Sequence, residues 1–247
     1  LLLKQRFKVI INLIRRYQSK IILIETSTAL CSVAIAIDGA IAGSRESNKP
    51  KAHASLTAVF VKELLDEQGL FVKDCDAVCV SAGPGSYTGL RVGASTAKGL
   101  CFGADIKLLS VPTTDVLVAQ ALSEKLLPEG CKYIVPMIDA RRMEVYSALY
   151  DAKGKRLTET KAEIIDENSY SSQIQEGPVL FIGDGAAKCS DIIKSDTVSF
   201  VQTCPHAGAM LKPACEAFKR EEWQDCAYYE PFYLKQYIAT ISNKKLF

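Results

Sequence analysis

The stretch Ser81-Ala-Gly-Pro-Gly-Ser-Tyr-Thr-Gly-Leu-Arg91 holds the residues best suited to chemistry. An apolar run, Ala77 to Ser81, leads into it, and a helical pattern follows. Backbone N–H groups at the entry to a helix attract anions, so Gly83, Gly85, Ser86 and Thr88 form a candidate phosphate loop. The loop is not a Walker motif, because Leu90-Arg91 stands where Lys-Ser or Lys-Thr is required. Nor is it a nucleophile elbow, since Pro84 and Thr88 occupy the positions where glycines should flank Ser86. Ser86 or Thr88 could instead be a plain helix N-cap, and the pattern favours the cap.

The helix after the loop keeps Gly89, Gly93, Gly99 and Gly103. A glycine in a helix interior costs roughly 1 kcal/mol relative to alanine, so something must offset it. Gly89, Gly93 and Ala97 recur every four residues and share one face, which would let another helix approach closely. That helix is either the chain's own, over about Ala54–Gln68, or one from another protein. Arg91 lies at the helix start, where a cation opposes the dipole. A partner carboxylate, a phosphate, or an internal ion pair with Glu25 or Asp115 would answer it.

The elements that must position these groups follow from the apolar patterning. Ile21–Ile24 reads as a buried strand, Cys31–Ile37 as a second, and Asp38-Gly39 as a hairpin turn into a third strand, Ala40–Glu46. Leu56, Val59, Phe60 and Leu64 mark a helix that stops at Gly69. Lys107–Val111 is a strand, and Thr113 or Thr114 caps a helix running to about Leu126. The order then recurs. Tyr133–Ile138, Met143–Tyr150 and Arg156–Glu163 are strands, Val179–Ile182 is a strand ending in Gly183-Asp184-Gly185, and Ala186–Ile193 is a short helix. Pro205–Lys219 is a late helix, and Tyr228–Leu234 an extended tail. Three antiparallel strands, a helix, a parallel strand and a helix, twice over, describe an α/β protein of two related lobes with a junction near Pro112–Pro128.

Composition narrows the class. The chain has 247 residues, 48% apolar and 23% charged, with 30 basic and 28 acidic side chains giving a net charge of +2. That balance leaves no broad electrostatic footprint for nucleic acid, so any such contact is local or shared with a partner. Nine cysteines show no Cys-x-x-Cys pair and no zinc-finger spacing, as expected of reduced thiols in a cytosolic protein. Residues 1–19 are basic and apolar, with Phe7, Ile10, Ile11 and Ile14 at helical spacing. The uncharged run Val9–Ile14 is too short to span a bilayer. This segment reads as an N-terminal extension outside the fold; the alternative is a surface-lying amphipathic helix.

Three stretches carry a family resemblance: Ile24-Glu25-Thr26-Ser27, the Ser81–Arg91 block, and Glu230-Pro231-Phe232-Tyr233-Leu234-Lys235. They resemble the TsaB (YeaZ) family of tRNA threonylcarbamoyladenosine biosynthesis proteins, from about Lys20 onward. The resemblance implies a two-lobed actin-like ATPase (ASKHA, ribonuclease H-like) fold with mixed sheets: an N-terminal lobe over 20–115 carrying the dimerisation helices, and a smaller C-terminal lobe over 116–247. It implies a cytoplasmic, non-catalytic scaffold without a membrane span. Its expected partners are a metal-binding TsaD-type paralogue, a TsaE-type ATPase, and tRNA through the complex; a homodimer is the alternative pairing. No cofactor is expected on this chain alone, with ATP and metal on partner subunits.

Site residues follow from the same resemblance. The partner interface is expected at Leu56, Val59, Phe60, Val61, Thr88, Gly89, Arg91, Val92, Gly93, Thr96 and Ala97. Glu25 stands where this fold places its first-strand acid, so it joins Gly83, Gly85, Ser86 and Thr88 in the anion loop. TsaD-type proteins carry a His-x-x-x-His metal pair, whose positions here fall on Thr113 and Leu117. The chain has two histidines, His53 and His206, far apart in sequence. An ASKHA small-molecule kinase is the alternative from another class. A metallohydrolase is a third reading, disfavoured by the missing histidine pair.

Overall fold

The computed structural model describes residues 19–235. The amphipathic pattern at Phe7–Ile14 lies outside the described residues. The first lobe comprises β1 (Lys20–Glu25), β2 (Cys31–Ile37), β3 (Ala40–Ser47), α1 (His53–Glu67), a 3-10 turn at Val72–Asp74, β4 (Ala77–Ser81), α2 (Tyr87–Ala104) and β5 (Lys107–Val111). Its sheet runs β3-β2-β1-β4-β5. The hairpins make β1, β2 and β3 antiparallel, while β4 pairs parallel with β1 and β5. β1 and β4 are continuous apolar runs because both faces of the parallel half are covered. Asp38 and Gly39 take φ of 53° and 78°, as a tight hairpin requires.

The chain then passes through α3 (Thr113–Ser123) into the second lobe. This holds β6 (Tyr133–Asp139), β7 (Glu144–Ser147), β8 (Tyr150–Asp151), β9 (Lys161–Ile164), α4 (Ser171–Glu176), β10 (Val179–Gly183), α5 (Ala186–Ser190) and β11 (Val198–Gln202). A 3-10 turn at Ala207–Met210 and α6 (Leu211–Lys219) follow. The sheet order β11-β10-β6-β7-β9 repeats that of the first lobe, with antiparallel strands on one side of β6 and parallel strands on the other. The two-lobed α/β architecture read from the sequence is the architecture observed.

The lobes exchange helices. α3 follows a first-lobe strand, yet packs Leu117, Val118 and Ala121 against Ile134, Ile138, Leu180 and Ile182 of the second sheet. The segment carrying α6 follows a second-lobe strand, yet Ala209, Met210, Ala214 and Ala217 cover Ile21, Leu23, Ala34 and Leu109 of the first. Alanines on both sides of that contact let the helix lie close to the sheet.

Several elements differ from the sequence reading. Met143–Tyr150 is broken in two, because β7 pairs with the Met137–Asp139 end of β6 and β8 with the Tyr133–Ile134 end. The strand expected from Arg156 begins at Lys161, since the Arg156 side chain turns inward to Asp115. The late helix opens as a 3-10 turn and becomes α-helical at Leu211. α4 and β11 went unread: a six-residue polar helix has no apolar period, and β11 depends on pairing with β10. The cap of α3 is Pro112, not Thr113 or Thr114. Both threonines lie inside the first turn, and the Thr114 hydroxyl accepts from Tyr150 Oη at 2.9 Å and Arg156 at 3.1 Å.

Leu117 is 0% exposed at the centre of the second core. Leu117→Ala should lower unfolding free energy by about 2–5 kcal/mol, read from a urea titration, by leaving a cavity among branched side chains.

Candidate functional site

The C-terminal end of β1 is locked into the strand beside it. Glu25 is fully buried; its Oε1 accepts from Ser27 N at 2.6 Å and Ser81 Oγ at 3.0 Å, while its Oε2 has no partner. Burial pushes its carboxyl up to about 7, opposed by the hydrogen bonds from Ser27 and Ser81. The Gly83-Pro84 peptide is cis. Ser86 N donates to Ser27 O at 2.6 Å, and Thr113 N donates to Gly83 O at 3.0 Å. Ser86 is the N-cap of α2, its Oγ accepting from Gly89 N at 3.3 Å. Gly85 rests on Ser27, and Thr88 is exposed. The expected anion loop therefore comes together in space, but much of its bonding capacity goes to the chain itself and Glu25 faces inward.

A raised carboxyl favours the folded state only while protonated. Its contribution is complete below the unfolded value near 4.5 and is lost as pH rises through about 7. Glu25→Gln stays neutral throughout. Between pH 5 and pH 8 its stability should therefore rise relative to the parent by on the order of 3 kcal/mol, read from paired urea titrations at each pH.

The glycines of α2 divide into two pairs. A Cβ at Gly89 would overlap Thr26 O, and one at Gly93 would overlap Thr26 Oγ1 and sit 3.2 Å from Val80 Cγ2. Thr26 Oγ1 donates to Gly89 O at 2.8 Å. At Gly89 and Gly93 the small face is thus pressed onto the chain's own β1–β2 turn, while its Ala97 end meets the chain's own α1, one of the two partners its spacing allowed. Ala97 is buried in one cluster with Val61, Leu64 and Ala94. Of the expected interface, Val61, Gly89, Gly93 and Ala97 are core residues. Leu56, Phe60, Val92 and Thr96 are half-buried; Val59 (44% exposed), Thr88 and Arg91 are on the surface. Gly99 and Gly103 have open space where a Cβ would stand. Sequence reasoning passed over them as interface residues, although they too are four apart on α2.

Gly93→Ala should cost about 1–3 kcal/mol through overpacking. Gly99→Ala should stabilise the isolated chain by about 0.8–1 kcal/mol, the ordinary helix-propensity difference. Urea midpoints of the two variants check the division.

Arg91 finds neither internal partner expected for it. Its guanidinium lies 4.1 Å from the Tyr87 ring centroid and donates to Tyr87 Oη. Asp115 instead pairs with Arg156 at 2.8 Å, and Glu25 is sealed in the core. The second lobe repeats the turn with different chemistry. Asp184 Oδ1 accepts from Asp139 N at 2.9 Å, and burial raises its carboxyl to about 6. Lys188 Nζ pairs with Asp139 and donates to Arg142 O at 2.8 Å and Glu144 O at 2.6 Å, so its cation is spent on the turn between β6 and β7. His53 bonds Thr28 O, and His206 bonds Glu124 at 2.7 Å. Among the described residues no cluster of His, Cys, Asp and Glu is arranged to hold a metal ion, and no helix is long and apolar enough to cross a membrane.

Comparison with known proteins places this geometry. Residues 46–242 match the family model described as TsaD, tRNA N6-adenosine threonylcarbamoyltransferase. The tRNA threonylcarbamoyladenosine biosynthesis protein TsaB of Escherichia coli is 30% identical over 227 residues, 89% of this chain and 96% of that protein. The protein of the same name from Haemophilus influenzae is 30% identical over 225 residues, 87% of this chain and 93% of its own length. The solved structure of YeaZ from Pseudomonas aeruginosa superposes with a TM-score of 0.75 at 27% identity, covering 87% of this chain and all of that one.

Proposed function

The chain belongs to the TsaB family of tRNA threonylcarbamoyladenosine biosynthesis proteins, and on that footing we propose that it is a scaffold subunit without catalysis of its own. In this reading it pairs with a TsaD-type paralogue that transfers threonylcarbamoyl to adenosine next to the anticodon of tRNAs reading A-starting codons. A TsaE-type ATPase joins the pair. ATP and metal sit on those subunits, and tRNA is met through the complex. The same surface would serve a homodimer.

The observation carrying this proposal is the outer face of α1 and α2. Val59 is exposed, Leu56, Phe60, Val92 and Thr96 are half-buried, and Gly99 and Gly103 leave an open track along α2. An apolar, small-residue face of this kind suits a second helical pair, packed at the close spacing that glycine permits. The glycine cost that Gly89 and Gly93 offset internally is offset at Gly99 and Gly103 only if another chain covers them. Catalysis by a metal is disfavoured by residue chemistry: Leu117, at one position of the paralogue's histidine pair, is a core aliphatic. The sealed Glu25, and Lys188 spent on carbonyls and Asp139 of its own lobe, likewise favour a scaffold over the kinase alternative.

The test is a pull-down of the tagged chain from its native lysate, with the bound proteins identified by mass spectrometry. The parent should recover a His-x-x-x-His paralogue. Gly99→Leu, placed in open space, should melt no lower than the parent, with a small rise from helix propensity, and reduce capture at least about tenfold, equivalent to 1.4 kcal/mol. Unchanged capture by a folded Gly99→Leu variant would remove the α1–α2 face as the docking surface. Recovery of no paralogue by the parent would overturn the scaffold assignment itself.

A further inference from the structure

The C-terminal described segment does not simply trail over the surface. Gln224 N donates to Leu108 O at 2.8 Å, adding an antiparallel bridge at the β5 edge. Lys98 of α2 donates to Ala227 O at 3.0 Å and Tyr229 O at 3.2 Å, and Cys226 Sγ donates back to Lys98 O at 3.4 Å. Tyr229 is 8% exposed and belongs to the first-lobe core. Phe232 N then donates to Ala82 O at 2.7 Å, and the Phe232 carbonyl lies so close over Gly83 that a Cβ there would stand 2.7 Å from its oxygen. The Tyr233 ring meets Tyr87 with centroids 4.7 Å apart. The segment has by now crossed from the β5 edge, past the ends of β5 and β4, to the start of α2. Two residues later Lys235 pairs with Glu144, the first residue of β7 in the other lobe.

We propose that Gln224–Lys235 is a strap that latches the second lobe to the first across the Gly83–Tyr87 loop, with Lys235–Glu144 as its releasable clasp. The asymmetry of its anchoring argues for this. On the first lobe it is held by backbone hydrogen bonds, a buried tyrosine and an aromatic contact. Among the described residues its hold on the second lobe is the Lys235–Glu144 ion pair, with the lysine 48% and the glutamate 20% exposed. Ion pairs of that exposure contribute little and open readily, and their loss loosens the nearest first-lobe anchor, at Phe232, before the more deeply seated Tyr229. The strap also explains Gly83 directly, since only a residue without Cβ lets the Phe232 carbonyl cross it. Lys98 and Tyr87 both stand on α2, so the strap joins that helix to the second lobe. The latch itself rests on these contacts and not on the partner assignment above.

Two measurements on the purified full chain test the clasp. A zero-length carbodiimide should join Lys235 Nζ to the Glu144 carboxyl as an amide, the lost water being taken up as the carbodiimide becomes a urea. Peptide mapping should find that cross-link in the parent chain. In amide exchange, Lys235→Glu should speed exchange at Phe232 about threefold to fivefold without changing β10 amides, and the swap Lys235→Glu with Glu144→Lys should restore the parent rate. Phe232→Pro, which removes the strap's donor to Ala82, should cut the cross-link yield by at least about half while the variant stays folded. Absence of the parent cross-link, unchanged exchange in Lys235→Glu, or failure of the charge swap to restore it would each overturn the proposal.

Discussion

Thr26 against Gly89 and Gly93 is the contact on which the first lobe depends. α2 must lie on the β1–β2 turn closely enough for Thr26 Oγ1 to reach a helix carbonyl, at 2.8 Å. Only glycine leaves that room at two successive turns of the helix. The contact fixes the height of α2 over the sheet, and with it the position of Ser86, whose amide reaches Ser27 O. It also turns the helix so that Val92, Thr96 and Gly99 face outward beside α1. A buried requirement of the fold thereby determines which residues form the outer face.

At the same turn stands a carboxyl group, Glu25, that would ordinarily be kept in water. Glu25 is tolerated because Ser27 and Ser81 satisfy one oxygen, and because burial shifts its titration so that the neutral form is reached near physiological pH. In the second lobe the corresponding turn is neutralised differently, by Lys188 reaching over from α5. Two copies of one supersecondary pattern thus reach local electrical balance by unlike means, and in both the polar groups are largely spent within the chain. The strap completes this by carrying the tail from the first lobe to the second over the loop that the turns enclose.

The lobes, most of their elements in order along the chain and the N-cap at Ser86 were legible because each rests on local rules: apolar runs, a hairpin dipeptide, a hydroxyl before a helix. The fate of the glycine face was not. Spacing of four places Gly89, Gly93 and Ala97 on one side of a helix, but a side of a helix has no address until the sheet and turn are placed. Arg91 illustrates the same gap, since its ring partner is a near neighbour at i−4 while the two acidic candidates are committed elsewhere. α4 and β11 escaped for the related reason that short elements draw their stability from neighbours.

By itself the sequence determined the two-lobed α/β plan and the family to which the Ser81–Arg91 block and the Glu230–Lys235 segment point. Its pattern of apolar and turn residues is a local quantity, readable without knowing what lies opposite. Tertiary structure alone decided which glycines are core and which are surface, that α3 and α6 serve each other's lobes, and that Lys235 meets Glu144 of the second lobe. Those are facts about residues separated by tens to more than a hundred positions, such as Lys98 with Tyr229 and Glu144 with Lys235. Burial and close contact between distant segments exist only once the chain has closed on itself, and no periodicity along it encodes them.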